Sequence, residues 1–192
     1  MAIASFYKPS DITANNNALR LSAAGIAELQ LYNSAAYRRM DQVYKGDQDS
    51  VIMSQWFPKA TIEILLMLED AWWPMYVTKA AKTTLWSVNL TNGQLMTGFK
   101  PVCLVKSNQW LIELETFLVV SKFYESIISD NANRNEKDLF NYETAQQRFA
   151  DRWSECMQAS HFYDVNLDGF ISKIEESNDM DMNYYSEDRR YF

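Results

Sequence analysis

Cysteine, glycine, proline and histidine are all scarce in this chain of 192 residues. Cys103 and Cys156 are too few for a disulfide framework, which points to a reducing compartment or to simple burial. A single histidine, His161, excludes a multi-histidine metal site. The five glycines form neither G-x-G-x-x-G nor the P-loop lysine pattern, so no phosphate cradle is legible. The opening residues 1–9 lack the apolar run of a signal peptide. The most apolar stretch, Trp110 to Ile128, is interrupted by Glu113, Glu115, Lys122 and Glu125 and reads as a buried amphipathic helix rather than a membrane span. The expectation is a soluble, unsecreted protein.

Basic charge is short as well. Eighteen Lys and Arg face 25 Asp and Glu, for a formal net charge of -7. From Asp164 onward eight acids face three bases, a net of -5, so most of the excess is local and the body is close to neutral. A dedicated nucleic-acid binder would carry the opposite sign, so nucleic acid is at most an incidental partner. What the chain has in quantity is apolar and aromatic surface, 47% and 14% of residues, which suits one aromatic-packed helical domain.

The chain divides into an N-terminal arm (1–17), a helical body (18–163), a short loop (164–176) and an acidic, aromatic tail (177–192). Asn15-Asn16-Asn17 ends the arm as a turn or helix cap. A helix is predicted from about Leu19 to Tyr44, with Ala24, Ala27, Leu31, Ala35, Met40 and Val43 on the packed side, and Lys45-Gly46-Asp47 stops it. Residues 47–54 read as a polar link. Pro58 opens a second helix to about Glu69, in which Ile62, Leu65, Leu66 and Met67 are the candidates for burial. Trp72-Trp73-Pro74 breaks that helix, its tryptophans packing a corner or offering a binding surface.

Between about 83 and 102 the apolar period changes to two, around Asn92-Gly93. This predicts an inserted β-hairpin, either a plain insertion or an edge offered to a neighbouring subunit. Asn108 caps a long central helix from Gln109 to Ser129, with Trp110, Leu114, Phe117, Leu118, Ser121 and Ile128 on its apolar face. A polar connector, 130–135, precedes a last helix from Glu136 to Phe162 with Leu139, Tyr142, Ala145, Phe149, Trp153, Cys156 and Met157 on one stripe. The fold class is mainly α: a bundle of about four long helices with an inserted hairpin and extended arms. No internal repeat is visible.

The sharpest motif follows directly. Residues 164–175 match the twelve-residue EF-hand calcium loop: Asp164, Asn166 and Asp168 at positions one, three and five, a turn at Gly169, and Glu175 at twelve. The Phe170 carbonyl would add a ligand and Ser172 could hold a water, so one structural calcium ion is the implied cofactor. The usual setting is missing, since no second loop and no apolar exit helix follow. The alternative is a metal-free turn whose Asp and Asn side chains bond their own backbone.

In the tail, Tyr184, Tyr185, Tyr191 and Phe192 alternate with charge. It is either a solubilising extension or a segment that orders on a partner through aromatic anchors; Asn92 and Gly93 of the hairpin are the other candidate contact point. No catalytic set is legible. Cys156 and His161 lie five residues apart on one predicted helix and point to different sides, and His161 suits the helix C-terminus. The acidic pairs Glu63 with Asp70 and Glu113 with Glu115 read as solvated surface.

The combination Tyr142-Glu143-x-Ala145, then Tyr163-Asp164-Val165-Asn166-Leu167-Asp168-Gly169 and a tail, behind an opening Phe6-Tyr7-Lys8-Pro9-Ser10-Asp11-Ile12, resembles the helical head–tail connector (adaptor, or head-completion) proteins of tailed bacteriophages. The resemblance covers most of the chain as architecture, and its one sharp motif is the Asp/Asn/Gly loop. It implies a virion protein, a ring of copies (usually twelve) between the portal protein and the tail or neck proteins. It implies no enzyme and no membrane, with arms and tail reaching into neighbours. The alternatives are a single-EF-hand calcium-binding interaction module and, third, a small enzyme.

Overall fold

A computed structural model of the chain describes residues 21–80, 99–130, 135–159 and 161–164. The chain is mainly helical, with four helical stretches and no strand among the described residues. They are α1 (Ile26–Tyr44), α2 (residues 48–80), α3 (Gln109–Ser129) and α4 (Glu136–Cys156). The predicted hairpin falls largely on 81–98, outside the described residues, as do the arm and the tail. Its expected last residues are not strand: Pro101–Cys103 form a 3-10 turn.

Asn108 starts the helix around which the others pack. Its Oδ1 accepts the Trp110 amide at 2.9 Å, the N-cap bond expected from sequence. Asn108→Ala should therefore lower stability by about 1 kcal/mol, read as a shifted urea midpoint at unchanged slope. The helix that follows is buried on every side rather than along one face. Leu111, Leu114, Leu118, Val119, Val120, Phe123 and Ile127 are all inside, whereas Trp110, Phe117 and Ile128 are half-buried.

Three neighbours account for that. Tyr32 meets Phe117 and Tyr44 meets Phe123, so α1 runs alongside α3 in the same direction. Trp56 meets Phe123 while Thr61 bonds Glu115, so α2 runs the opposite way. Asn141 donates to the Tyr124 hydroxyl at 3.2 Å and Arg152 pairs with Glu113, so α4 is also antiparallel to α3. The four stretches thus alternate in direction.

α1 departs from its predicted course. It begins at Ile26 rather than near Leu19, and Asn33 leaves helical geometry with φ -153° and ψ 68°. The Asn33 Oδ1 accepts the Ala36 amide at 3.1 Å, so this residue caps a second helical segment inside the first. The inward face also differs from the expected one. Leu29, Ala36 and Met40 are buried, while Ala27, Leu31, Ala35 and Val43 face outward. Ala24 is buried, as expected. The stop at Lys45 and Gly46 holds: both take positive φ, and the Lys45 amide bonds the Asp41 carbonyl at 2.8 Å.

α2 corrects two expectations. The link 47–54 is mostly helical, and Pro74 does not end the helix. Its α-helical pieces Gln48–Val51, Phe57–Met67 and Trp73–Ala80 are joined by π turns at Ile52–Trp56 and Leu68–Trp72. The Phe57 amide bonds the Ile52 carbonyl and the Trp73 amide bonds that of Leu68, five residues back in each case. A proline follows each widened turn. The extra girth gives the ring room against the carbonyl four residues back, where a regular helix would kink. Ile52-x-x-x-Trp56-Phe57-Pro58 and Leu68-x-x-x-Trp72-Trp73-Pro74 are thus one short pattern used twice, which reading the sequence missed.

Of the predicted inward residues of α2, Leu65 is buried, Ile62 and Met67 are half-buried and Leu66 faces outward. Ile52, Trp56, Phe57, Ile64, Leu68 and Trp72 do most of the packing. The stretch Gln48–Tyr76 is long and apolar enough to cross a membrane by length and composition, and this buried set gives its apolarity a place in the core.

α4 ends at Cys156 rather than Phe162. The Gln158 and Ala159 amides bond carbonyls three residues back, which tightens the last turn. Beyond it, the Ala159 and Phe162 carbonyls accept from the Trp72 indole and the Val105 amide.

Candidate functional site

The chain after α4 reaches the calcium-type loop through a short clasp. Residues 161–164 lie against 99–108, the segment that leads into α3. The Val105 amide donates to the Phe162 carbonyl at 2.8 Å, and the Asp164 amide donates to the Cys103 carbonyl at 2.7 Å. Between them Leu104 and Tyr163 form an isolated antiparallel bridge. The Lys100 amide donates to the Tyr163 hydroxyl at 3.1 Å.

Beneath the clasp is an aromatic nest. Tyr163 stacks on Phe99 with ring centroids 5.9 Å apart and touches Trp72, Trp73 and Tyr76. Trp72 stacks on Tyr76 at 4.7 Å, and its indole N–H donates to the Ala159 carbonyl at 2.9 Å. Both adjacent tryptophans pack: Trp72 is core, and Trp73 is half-buried against Tyr76, Phe99 and Tyr163 at the edge of the nest. Burial first, then Cys103, holds the Tyr163 phenol far above the usual tyrosine range.

Asp164 occupies loop position one and is only 5% exposed. Its backbone amide is held by the clasp. The other predicted ligands, Asn166, Asp168, Phe170, Ser172 and Glu175, lie outside the described residues. So do Asn92, Gly93, Tyr184, Tyr185, Tyr191 and Phe192. Among the described residues no three His, Cys, Asp or Glu side chains are grouped to hold a metal. The donor set of the motif is all oxygen, the chemistry of a hard cation such as calcium.

Two carboxylates expected at the surface are inside. Glu115 is fully buried and accepts hydrogen bonds from the Ser22 and Thr61 hydroxyls. Glu113 pairs with Arg152 and accepts from Gln109 Nε2 at 2.7 Å. Arg152 also reaches Glu155 and lies over the Trp110 ring, 5.2 Å from its centroid. Glu63 and Asp70 behave differently: Glu63 pairs with Lys122 at 2.8 Å, and Asp70 is exposed.

His161 sits beyond the end of α4, edge-on to Trp110 at 4.3 Å, rather than on the helix. Cys156 is buried, and its thiol is pushed up to about 12, by burial above all. It is neutral at pH 8 in the folded protein, so its alkylation should proceed only as fast as the protein opens. A labelling rate equal to that of a free thiol would refute this. The same shift makes stability fall as pH rises. Above the ordinary thiol value of 9.0 the unfolded chain ionises and the folded one does not, until about 12.

No family model, no curated protein and no solved structure matches the chain.

Proposed function

We propose that the chain is a structural subunit of a tailed-bacteriophage virion, a head–tail connector that forms a ring between the portal protein and the tail or neck proteins. The observation that carries this reading is the sequence of elements at the end of the body. A last helix stops at Cys156, a clasp fixes Tyr163 and Asp164, and the Asp/Asn/Gly loop and acidic-aromatic tail follow in the order that the resemblance implies. In this reading the body is a helical bundle with a hairpin around Asn92-Gly93. The loop is a rigid turn, held by one calcium ion, that sets the direction in which residues 177–192 leave. The ion would be held by Asp164, Asn166, Asp168, Glu175 and the Phe170 carbonyl, with Ser172 through water. It would relieve the mutual repulsion of their carboxylates. The ring forms from copies made in the host cytoplasm and carries no catalytic role.

A second reading, a single-loop calcium-binding interaction module, is favoured by the motif alone. Affinity capture from the native lysate separates the two, using the full chain and a chain ending at Glu176. The connector reading expects a portal-like ring component on the full chain and its loss on truncation. Recovery of cellular signalling proteins instead would favour the calcium module.

A further inference from the structure

Only 44% of the most apolar window of Gln48–Tyr76 is buried, so part of that apolarity stays on the outside of the body. Ala60, Ile64, Leu68 and Trp72 face the core. On the opposite side of α2, Lys59, Ile62, Leu66 and Asp70 follow at i, i+3, i+7 and i+11, the spacing of one helical stripe. Leu66 is 39% exposed and Ile62 is half-buried, so the middle of the stripe is apolar. Its two ends carry opposite charge. Lys59 stands at one, with its Nζ 5.0 Å from the centroid of the Trp56 ring. Glu69 and Asp70 stand at the other, and neither joins an ion pair among the described residues. Burial first, then the neighbouring Asp70, raises the Glu69 carboxyl above its ordinary range. That end of the stripe lacks a cation.

We propose that a second copy of this chain docks on the stripe, with its own α2 antiparallel to the first about a two-fold axis. The register that sets Ile62 against Leu66 of the second copy brings Lys59 to its Glu69, with Asp70 one residue further. The axis repeats both contacts, so one stripe yields two apolar and two charged pairs. A parallel, in-register pair would instead set lysine on lysine and acid on acid, which is repulsive. Glu63, beside the axis, is already paired with Lys122 at 2.8 Å, which offsets its repulsion across the contact. The stripe spans about 16 Å, at 1.5 Å per residue. So small a contact makes a weak dimer, with a dissociation constant on the order of 10–100 µM. The proposal concerns the free subunit and does not rest on the connector reading, because a two-fold contact closes on itself and builds no ring alone.

Sedimentation equilibrium of the full chain, from about 5 to 500 µM, reads the contact directly. The expected result is a monomer–dimer equilibrium. Lys59→Glu in one protein, and Glu69→Lys with Asp70→Lys in another, should each weaken it at least about tenfold. Leu66→Glu should do the same by placing a charge in the apolar middle. An equimolar mixture of the two charge variants should associate again, because each then meets the opposite sign at both ends of the stripe. Unchanged helical circular dichroism shows that the variants are folded. No dimer over this range, a larger oligomer in its place, or association indifferent to these substitutions would each overturn the proposal. So would a mixture that associates no better than either variant alone.

Discussion

Replacing Trp72 by alanine is expected to cost about 3–5 kcal/mol, the range for deleting a fully buried large aromatic ring. The side chain is enclosed by Tyr76, Phe99, Phe162 and Tyr163, and it also supplies the donor for the Ala159 carbonyl. Its loss leaves a cavity beneath the clasp and an acceptor without its bond. Against a typical stability of about 5–15 kcal/mol this is a large share, so the protein should be partly unfolded at 37 °C. Trp72→Phe keeps most of the ring and loses the hydrogen bond, and should cost far less. Trp73→Ala, at a half-buried site, should fall between the two. Urea denaturation of the three variants decides. Equal losses at 72 and 73 would mean that the nest does not hold the end of the body as described.

The second large effect concerns the loop. If residues 164–175 hold calcium, an ion at about a hundred times its dissociation constant should stabilise the fold by about 2.7 kcal/mol. For a chain of this size that corresponds to a melting temperature higher by several degrees, on the order of 5 °C. Asp164→Ala combined with Glu175→Ala should abolish the gain, because it removes the first ligand and the bidentate last one. An unchanged gain in the double variant would place the ion elsewhere. No gain in the parent protein would leave the metal-free turn as the correct account of the motif.

Local chemistry made much of this fold legible. The Asn108 cap and the stop at Lys45-Gly46 depend on residues a few positions apart, and both are found where they were expected. The central place of Gln109–Ser129 followed from its apolar density. The failures lie where a residue type has more than one local use or where a distant group decides. Asn33 is an ordinary helix residue until its Oδ1 accepts the Ala36 amide and starts a second helical segment inside α1. Pro74 reads as a stop signal because a proline inside a regular helix is costly, and only the π turn at Leu68–Trp72 removes the clash. The chain just beyond α4 is held by Trp72 and Val105, each more than 50 residues away in sequence.

The buried carboxylates teach the same lesson more sharply. Glu115 alternates with apolar neighbours in a way that any solvated glutamate might, and its burial depends on Ser22 and Thr61, from two other segments. Buried polar groups need such partners, and sequence spacing does not reveal them. Of the candidate site, the twelve-residue pattern of 164–175 can be read from the sequence because it is local. The clasp that fixes its first residue cannot, since it joins 99–108 to 161–164 across two intervening helices.

The measurement that tests the central claim most directly is quantitative mass spectrometry of purified virus particles from the source of this chain. The connector account predicts this polypeptide in every particle, at a fixed copy number on the order of twelve, the stoichiometry of a closed ring. Its absence from particles, or an abundance that varies from preparation to preparation, would contradict the account.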